Sequence, residues 1–248
     1  MIVDPVRVWL IIPKMFVAMM FLFFAFRIKR ESNYLLNKIF FFAFLSWAIF
    51  STFDSFSFTF APASYTSFLI CSVLWAIQKV MLNLYSGLVY NASNIITHGE
   101  LRVKKKKYQF VEITLLLIST VLMIIEAPLQ VLDENKDVID PKTLPPSGVF
   151  TSAEGFSVIS AIASAIPFIF YIIATVNLSK TIKKTEDRVS KKKMLGLVIG
   201  IDLIPIGLLY FMFKSLLFQT YSLWTSMIGQ IFLFVSPILI FWALHKEE

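Results

Sequence analysis

Seven blocks of apolar residues, each roughly twenty long, constrain this chain more than any other feature of its sequence. A helix of that length matches the hydrocarbon core of a bilayer, about 30 Å thick. The blocks fall at about 7–27, 36–59, 65–96, 108–130, 151–178, 193–214 and 221–244. In lipid every backbone N–H and C=O must be bonded within the protein, and helices do this segment by segment. The expected fold class is therefore all-α: one domain over residues 1–248, a polytopic seven-transmembrane helix bundle. Composition agrees, at 57% hydrophobic and 16% aromatic. A soluble domain of this size is less apolar.

Charge sets the expected orientation. Arg27, Lys29, Arg30 and Lys38 lie between spans 1 and 2; Arg102 and Lys104 to Lys107 between 3 and 4; Lys180, Lys183, Lys184, Arg188 and Lys191 to Lys193 between 5 and 6. With Lys246 these hold most of the 23 basic residues, all on one side of seven spans. The positive-inside rule then places the N-terminus outside and the C-terminus in the cytoplasm of a cell-membrane protein. The first block is read as a retained helix rather than a signal peptide, because its positive cluster follows the apolar run. The net charge of +7 reflects the same bias. The basic runs are a topology signal beside anionic headgroups. They are also the candidate docking surface for a cytoplasmic signalling partner: Lys104, Lys105, Lys106, Lys107, Lys191, Lys192 and Lys193.

Other chemistries find no support. One cysteine, Cys71, excludes an internal disulfide. His98 and His245 sit at span boundaries and form no metal-ligand pair, so neither a metal nor a cofactor is expected. Span 7 lacks a lysine for a retinal Schiff base, and no HExxH or GxSxG run occurs. No enzyme activity is expected, and no nucleic-acid motif is present. Two glycosylation sequons, at Asn91 and Asn177, fall at cytoplasmic helix ends and should stay unmodified.

The longest exterior segment is 131–150, where Val131-Leu132 and Val138-Ile139 flank DENKD as in a small β-hairpin. The connection SKTIKKTEDRVSKKK contains neither Gly nor Pro and should extend spans 5 and 6 into the cytoplasm. Only about four residues follow the last span, so any output domain is expected to be a separate protein. Pro13, Pro167, Pro205 and Pro237 lie within spans and are candidate kinks or hinges.

The third span carries the main chemical signal. Ser72, Trp75, Lys79, Asn83, Ser86, Tyr90 and Asn94 recur at spacings of three and four, so one face of that helix is polar. A lysine within lipid costs a few kcal/mol, so this face must meet protein or water. That makes span 3 the expected central helix. Depths suggest partners: Lys79 with Asp202 near the midplane, and Lys14 with Asp54 or Glu126 in the outer half. Gln230 is free to join either. Structural pairing, an outward-opening ligand pocket and an ion or proton path all fit this set.

The stretch FAFRIKRESNYLLNKIFFFAFLSWAIF has a basic turn, then an apolar run reaching an aromatic residue, Trp47. With the long third span and the 4–5 loop, it resembles the seven-helix sensor region found at the N-terminus of some prokaryotic histidine kinases. The resemblance implies a sensor without catalytic residues of its own. G-protein-coupled receptor motifs are missing: the third span exits as YNASNIITHGE and the last as VSPILIFWALHKEE. The leading reading is a receptor-like sensor that binds a small or lipophilic ligand and relays to a separate partner. The alternative is a small transporter or ion channel with a polar path around Lys79 and Asp202.

Overall fold

The computed structural model describes residues 2–3, 11–31, 34–61, 65–103, 105–134, 158–217 and 223–244. They form α1 (Ile11–Glu31), α2 (Leu35–Thr59), α3 (Tyr65–His98), α4 (Glu100–Val103), α5 (Lys106–Glu134), α6 (Val158–Lys184), α7 (Arg188–Leu217) and α8 (Leu223–Leu244). All but the short α4 are long and apolar enough to cross a membrane, so the chain is a seven-span membrane protein. A two-residue antiparallel pair, β1 (Ile2–Val3) with β2 (Phe60–Ala61), ties the N-terminal stretch to the end of α2.

The helices pack in the order α1, α2, α3, α5, α6, α7, α8, and α8 closes back on α1. α3 and α6 also pack on each other across this ring, so each has three long neighbours. The central place expected for the third span is one it shares with α6.

Helix ends follow local chemistry. Gly99, at φ +79°, ends α3, and its N–H bonds the Ile95 carbonyl at 2.8 Å. That left-handed residue closes the helix as a glycine can without strain. The connection from α6 to α7 is only three residues, 185–187. Both helices run through the basic segment because nothing there breaks them. Asp187 caps α7: its carboxylate accepts from the backbone N–H of Ser190 at 2.7 Å and of Val189 at 3.4 Å.

Two expectations change. Pro13 lies in the first turn of α1, where a missing N–H breaks no helical bond, so it does not kink that span. Pro128 joins Pro167, Pro205 and Pro237 as a proline inside a helix. Val131 and Leu132 are not a strand, because α5 continues to Glu134. The rest of the expected hairpin lies outside the described residues.

The outward faces are apolar. On α1, Ile12, Phe16, Met19, Phe23 and Phe26 are exposed, and on α5, Phe110, Ile113, Leu117, Val121 and Ile124. Each set recurs at three and four, the stripe a helix shows to lipid. Lipid is as apolar as these side chains, so association rests on close packing inside the bundle. There Phe21, Phe40, Phe44, Trp47, Tyr85 and Tyr171 are almost wholly buried. The rings form a chain across four helices: Phe21 to Trp47 (5.9 Å between centroids), Trp47 to Tyr85 (5.0 Å) and Tyr85 to Tyr171 (6.1 Å). Glycines supply the closest approaches. A Cβ at Gly200 of α7 would lie 2.7 Å from Ile240 Cγ1 and 3.1 Å from the Ser236 backbone oxygen of α8.

Candidate functional site

α3 presents two polar faces to two sets of neighbours. At the end away from the basic connections, Lys14 of α1 pairs with Asp54 of α2, Nζ to Oδ2 at 2.7 Å. The other oxygen of Asp54 accepts a hydrogen bond from Gln78 Nε2 of α3 at 2.6 Å. Lys14 and Gln78 are buried, so three helices share one charged cluster. The expected Lys14–Asp54 pair therefore forms. Gln78, next to Lys79, lies off the polar stripe that the sequence shows. Consecutive helical residues point about 100° apart, and Gln78 shares its face with Leu82, Tyr85 and Val89, all buried.

Lys79 points elsewhere. Its ammonium lies 4.9 Å from the centroid of the Trp75 ring, in cation–π range. It does not pair with Asp202. That carboxylate, on α7, accepts a hydrogen bond from Thr175 of α6 instead. The physical reason is helix order: α6 packs on both α3 and α7, and its hydroxyl meets Asp202 first. Gln230, buried on α8, hydrogen-bonds neither Lys79 nor Asp202 among the described residues. Glu126 is buried beside Ala127, which packs with Phe68, Cys71 and Trp75.

Two polar atoms in this half are left over. Trp75 Nε1 and Gln78 Oε1 are buried without a hydrogen bond among the described residues. One is a donor and one an acceptor, three residues apart on α3. In the aromatic layer below them, Trp47 Nε1 and the hydroxyls of Tyr85 and Tyr171 are likewise buried and unbonded. Buried polar groups normally have partners, so each marks a place where chemistry is unfinished.

The stripe from Asn83 to Thr97 is a seam. Asn83 Nδ2 donates to Thr120 Oγ1 at 3.1 Å, and its Oδ1 lies 3.0 Å from Ser119 Oγ. The Ser119 hydroxyl also lies 2.8 Å from the Ala163 carbonyl, its shorter contact. That carbonyl is the one Pro167 cannot bond, four residues on, so Ser119 repairs a proline-made gap. Further along, Tyr90 packs on Phe170 (5.0 Å), Asn177 donates to Asn94 (3.3 Å) and Thr181 to Thr97 (3.1 Å). Asn91 donates to Glu112 of α5. Both sequon asparagines thus bond inside the bundle. Gly87 permits the approach, since a Cβ there would lie 2.6 Å from Leu116 Cδ1.

Among the lysines expected to meet a partner, Lys105, Lys106 and Lys107 are exposed, as are Lys191 and Lys192, while Lys193 is partly buried. Lys192 lies over the Trp242 ring at 5.9 Å. Lys104 lies outside the described residues. Among those described, no three His, Cys, Asp or Glu side chains gather as a metal site needs.

No protein-family model, curated protein or solved structure matches the chain. What remains of the likeness to the histidine-kinase sensor region is the seven-span architecture alone.

Proposed function

We propose that this protein is a receptor-like sensor of the cell membrane, with its N-terminus outside and its C-terminus in the cytoplasm. The ligand site is the half of the bundle holding Lys14, Asp54, Trp75, Gln78, Lys79 and Glu126. The observation that carries this reading is the Trp75 donor and the Gln78 acceptor, both buried and unbonded among the described residues, beside a buried ion pair. Aromatic surface with a few convergent polar groups is how small-ligand sites are built. A ligand offering both an acceptor and a donor, such as an amide or an acid, would complete both atoms. The exposed lysines of the 3–4 and 5–6 connections are the output surface for an acidic signalling protein.

The transporter reading needs a hydrated route from Lys79 to the other end. The α3 seam argues against it, because its polar groups bond directly across helices. The sensor reading is tested by hydrogen exchange on purified protein, using small molecules first selected for raising its unfolding temperature. A true ligand should slow exchange in α1 to α3 and also change it at 185–187, and Asp54→Asn should weaken both effects. Ligands that bind with no response at the basic end would contradict the sensor reading.

A further inference from the structure

The aromatic layer joins three helices through rings whose polar atoms are left over. Trp47 of α2 and Tyr85 of α3 are wholly buried, and Tyr171 of α6 is 2% exposed. The indole N–H of Trp47 and the hydroxyls of Tyr85 and Tyr171 have no hydrogen bond among the described residues. Yet the rings are neighbours: the centroids of Trp47 and Tyr85 are 5.0 Å apart, and those of Tyr85 and Tyr171 6.1 Å. Two phenols can bond each other, since each both donates and accepts. These two do not. The serines nearest along the helices do not serve them either. Ser46 donates to the Phe42 carbonyl and Ser86 to the Asn83 carbonyl, each at 2.8 Å.

A polar group buried without a partner loses its bonds to water and gains none in return. Here three such groups, one from each helix, meet in one layer, and a single molecule can serve all three. Valence narrows that molecule. Trp47 only donates, whereas each phenol donates or accepts. A cation cannot accept the indole N–H, and an anion cannot donate to a phenol oxygen. Water does both: it accepts from Trp47 and from one phenol and donates to the other. Buried waters typically make about three bonds of this kind. Size points the same way. Phe21, Phe40, Phe44 and Phe50 belong to the same buried cluster, and a water needs only about one probe sphere of room. The outer pair of leftover atoms cannot share it, because Gln78 stands seven residues before Tyr85 on α3, about 10 Å by helical rise.

We propose that Trp47, Tyr85 and Tyr171 hold a buried water that pins α2, α3 and α6 together. The site is separate from the ligand half and stands whether or not a ligand binds there. Pulsed X-ray radiolysis of the purified full chain turns water into hydroxyl radicals where it stands, and mass spectrometry reads the oxidation of each ring. Corrected for intrinsic ring reactivity, Trp47, Tyr85 and Tyr171 should oxidise several-fold faster than Phe40 and Phe44, which are as deeply buried. Tyr85→Phe together with Tyr171→Phe keeps both rings and removes two of the three partners, so Trp47 should then fall to the phenylalanine rate. The wild-type chain alone gives a second readout. After rapid mixing into heavy-oxygen water, the exposed Tyr34 and Tyr108 should take up heavy oxygen at once, and the three buried rings only after a delay. Oxidation of the three rings no faster than that of Phe40 and Phe44, or a Trp47 rate unchanged in the double variant, would overturn the proposal. So would heavy oxygen reaching the three rings as fast as Tyr34, which would mean passing solvent rather than a bound water.

Discussion

Single residues decide which charges in this bundle are coupled. Lys14 and Asp54 touch, and with the side chains only 8% and 22% exposed, each solvates the other. Breaking such a pair from one side leaves a buried charge and costs on the order of 3–5 kcal/mol. Removing both partners is often mild. Lys14→Met and Asp54→Asn should each lower the unfolding temperature strongly, and the double variant should lose less than their sum. Lys79→Met and Asp202→Asn are the contrast. They do not meet, so their effects should add within about 0.5 kcal/mol. Two double-mutant cycles on purified protein check both expectations; coupling of Lys79 to Asp202 would mean that α6 does not separate them.

The same residues mark how far sequence reasoning reaches. Depth along a helix follows from counting, and depth alone suffices for Lys14 and Asp54, because α1 and α2 are neighbours in the chain. It fails for Lys79 and Asp202, because the order of helices around the bundle decides which side chains face each other. Gln78 was hidden for a related reason: its face is apolar apart from itself and Tyr85, so it reads as core. Thr175 and Ser119 carry no sequence signal at all. Their roles arise from Asp202 on the next helix and from a proline-freed carbonyl.

At the scale of elements, α3 is held by a polar seam and α7 by glycine. Cβ contacts against backbone at 3.1 Å leave Gly200 no room, so Gly200→Ala should destabilise the α7–α8 hairpin by about 1–3 kcal/mol, as overpacking does. Thermal unfolding measures the loss, and cysteine cross-links between α7 and α8 should form more slowly. The start of α7 has a pH dependence of its own. The Ser190 hydroxyl and N–H, with a smaller part from Val189, hold the carboxyl of exposed Asp187 below its usual range. A lowered pKa means its capping contribution is present above the unfolded value of about 3.9 and is lost as pH falls through the folded value. Amide exchange at Val189 and Ser190 should slow less on acidification than base-catalysed chemistry alone requires, an excess of exchange that reports the lost cap. Asp187→Asn should abolish that excess.

On the scale of the whole molecule, α3 carries two polar regions, the cluster at Gln78 and the seam from Asn83, and the aromatic layer at Tyr85 lies level with the start of the seam. The three-helix cluster at Asp54 leaves Gln78 Oε1 unbonded among the described residues, while the seam from Asn83 to Thr97 joins helices by direct side-chain hydrogen bonds. Polar residues in spans thus differ in whether their bonds are complete, and only helix neighbours tell the two kinds apart. The sensor account requires that the bundle move a signal and not a solute. Vesicles containing only the purified protein, loaded with a pH-sensitive dye and challenged with proton, cation and solute gradients, test this most directly. The account predicts flux no greater than in protein-free vesicles, in the wild type and in Asp54→Asn alike. Robust flux by the wild type that disappears in Lys79→Met or Asp202→Asn would contradict it and make the polar stripe of α3 a transport path.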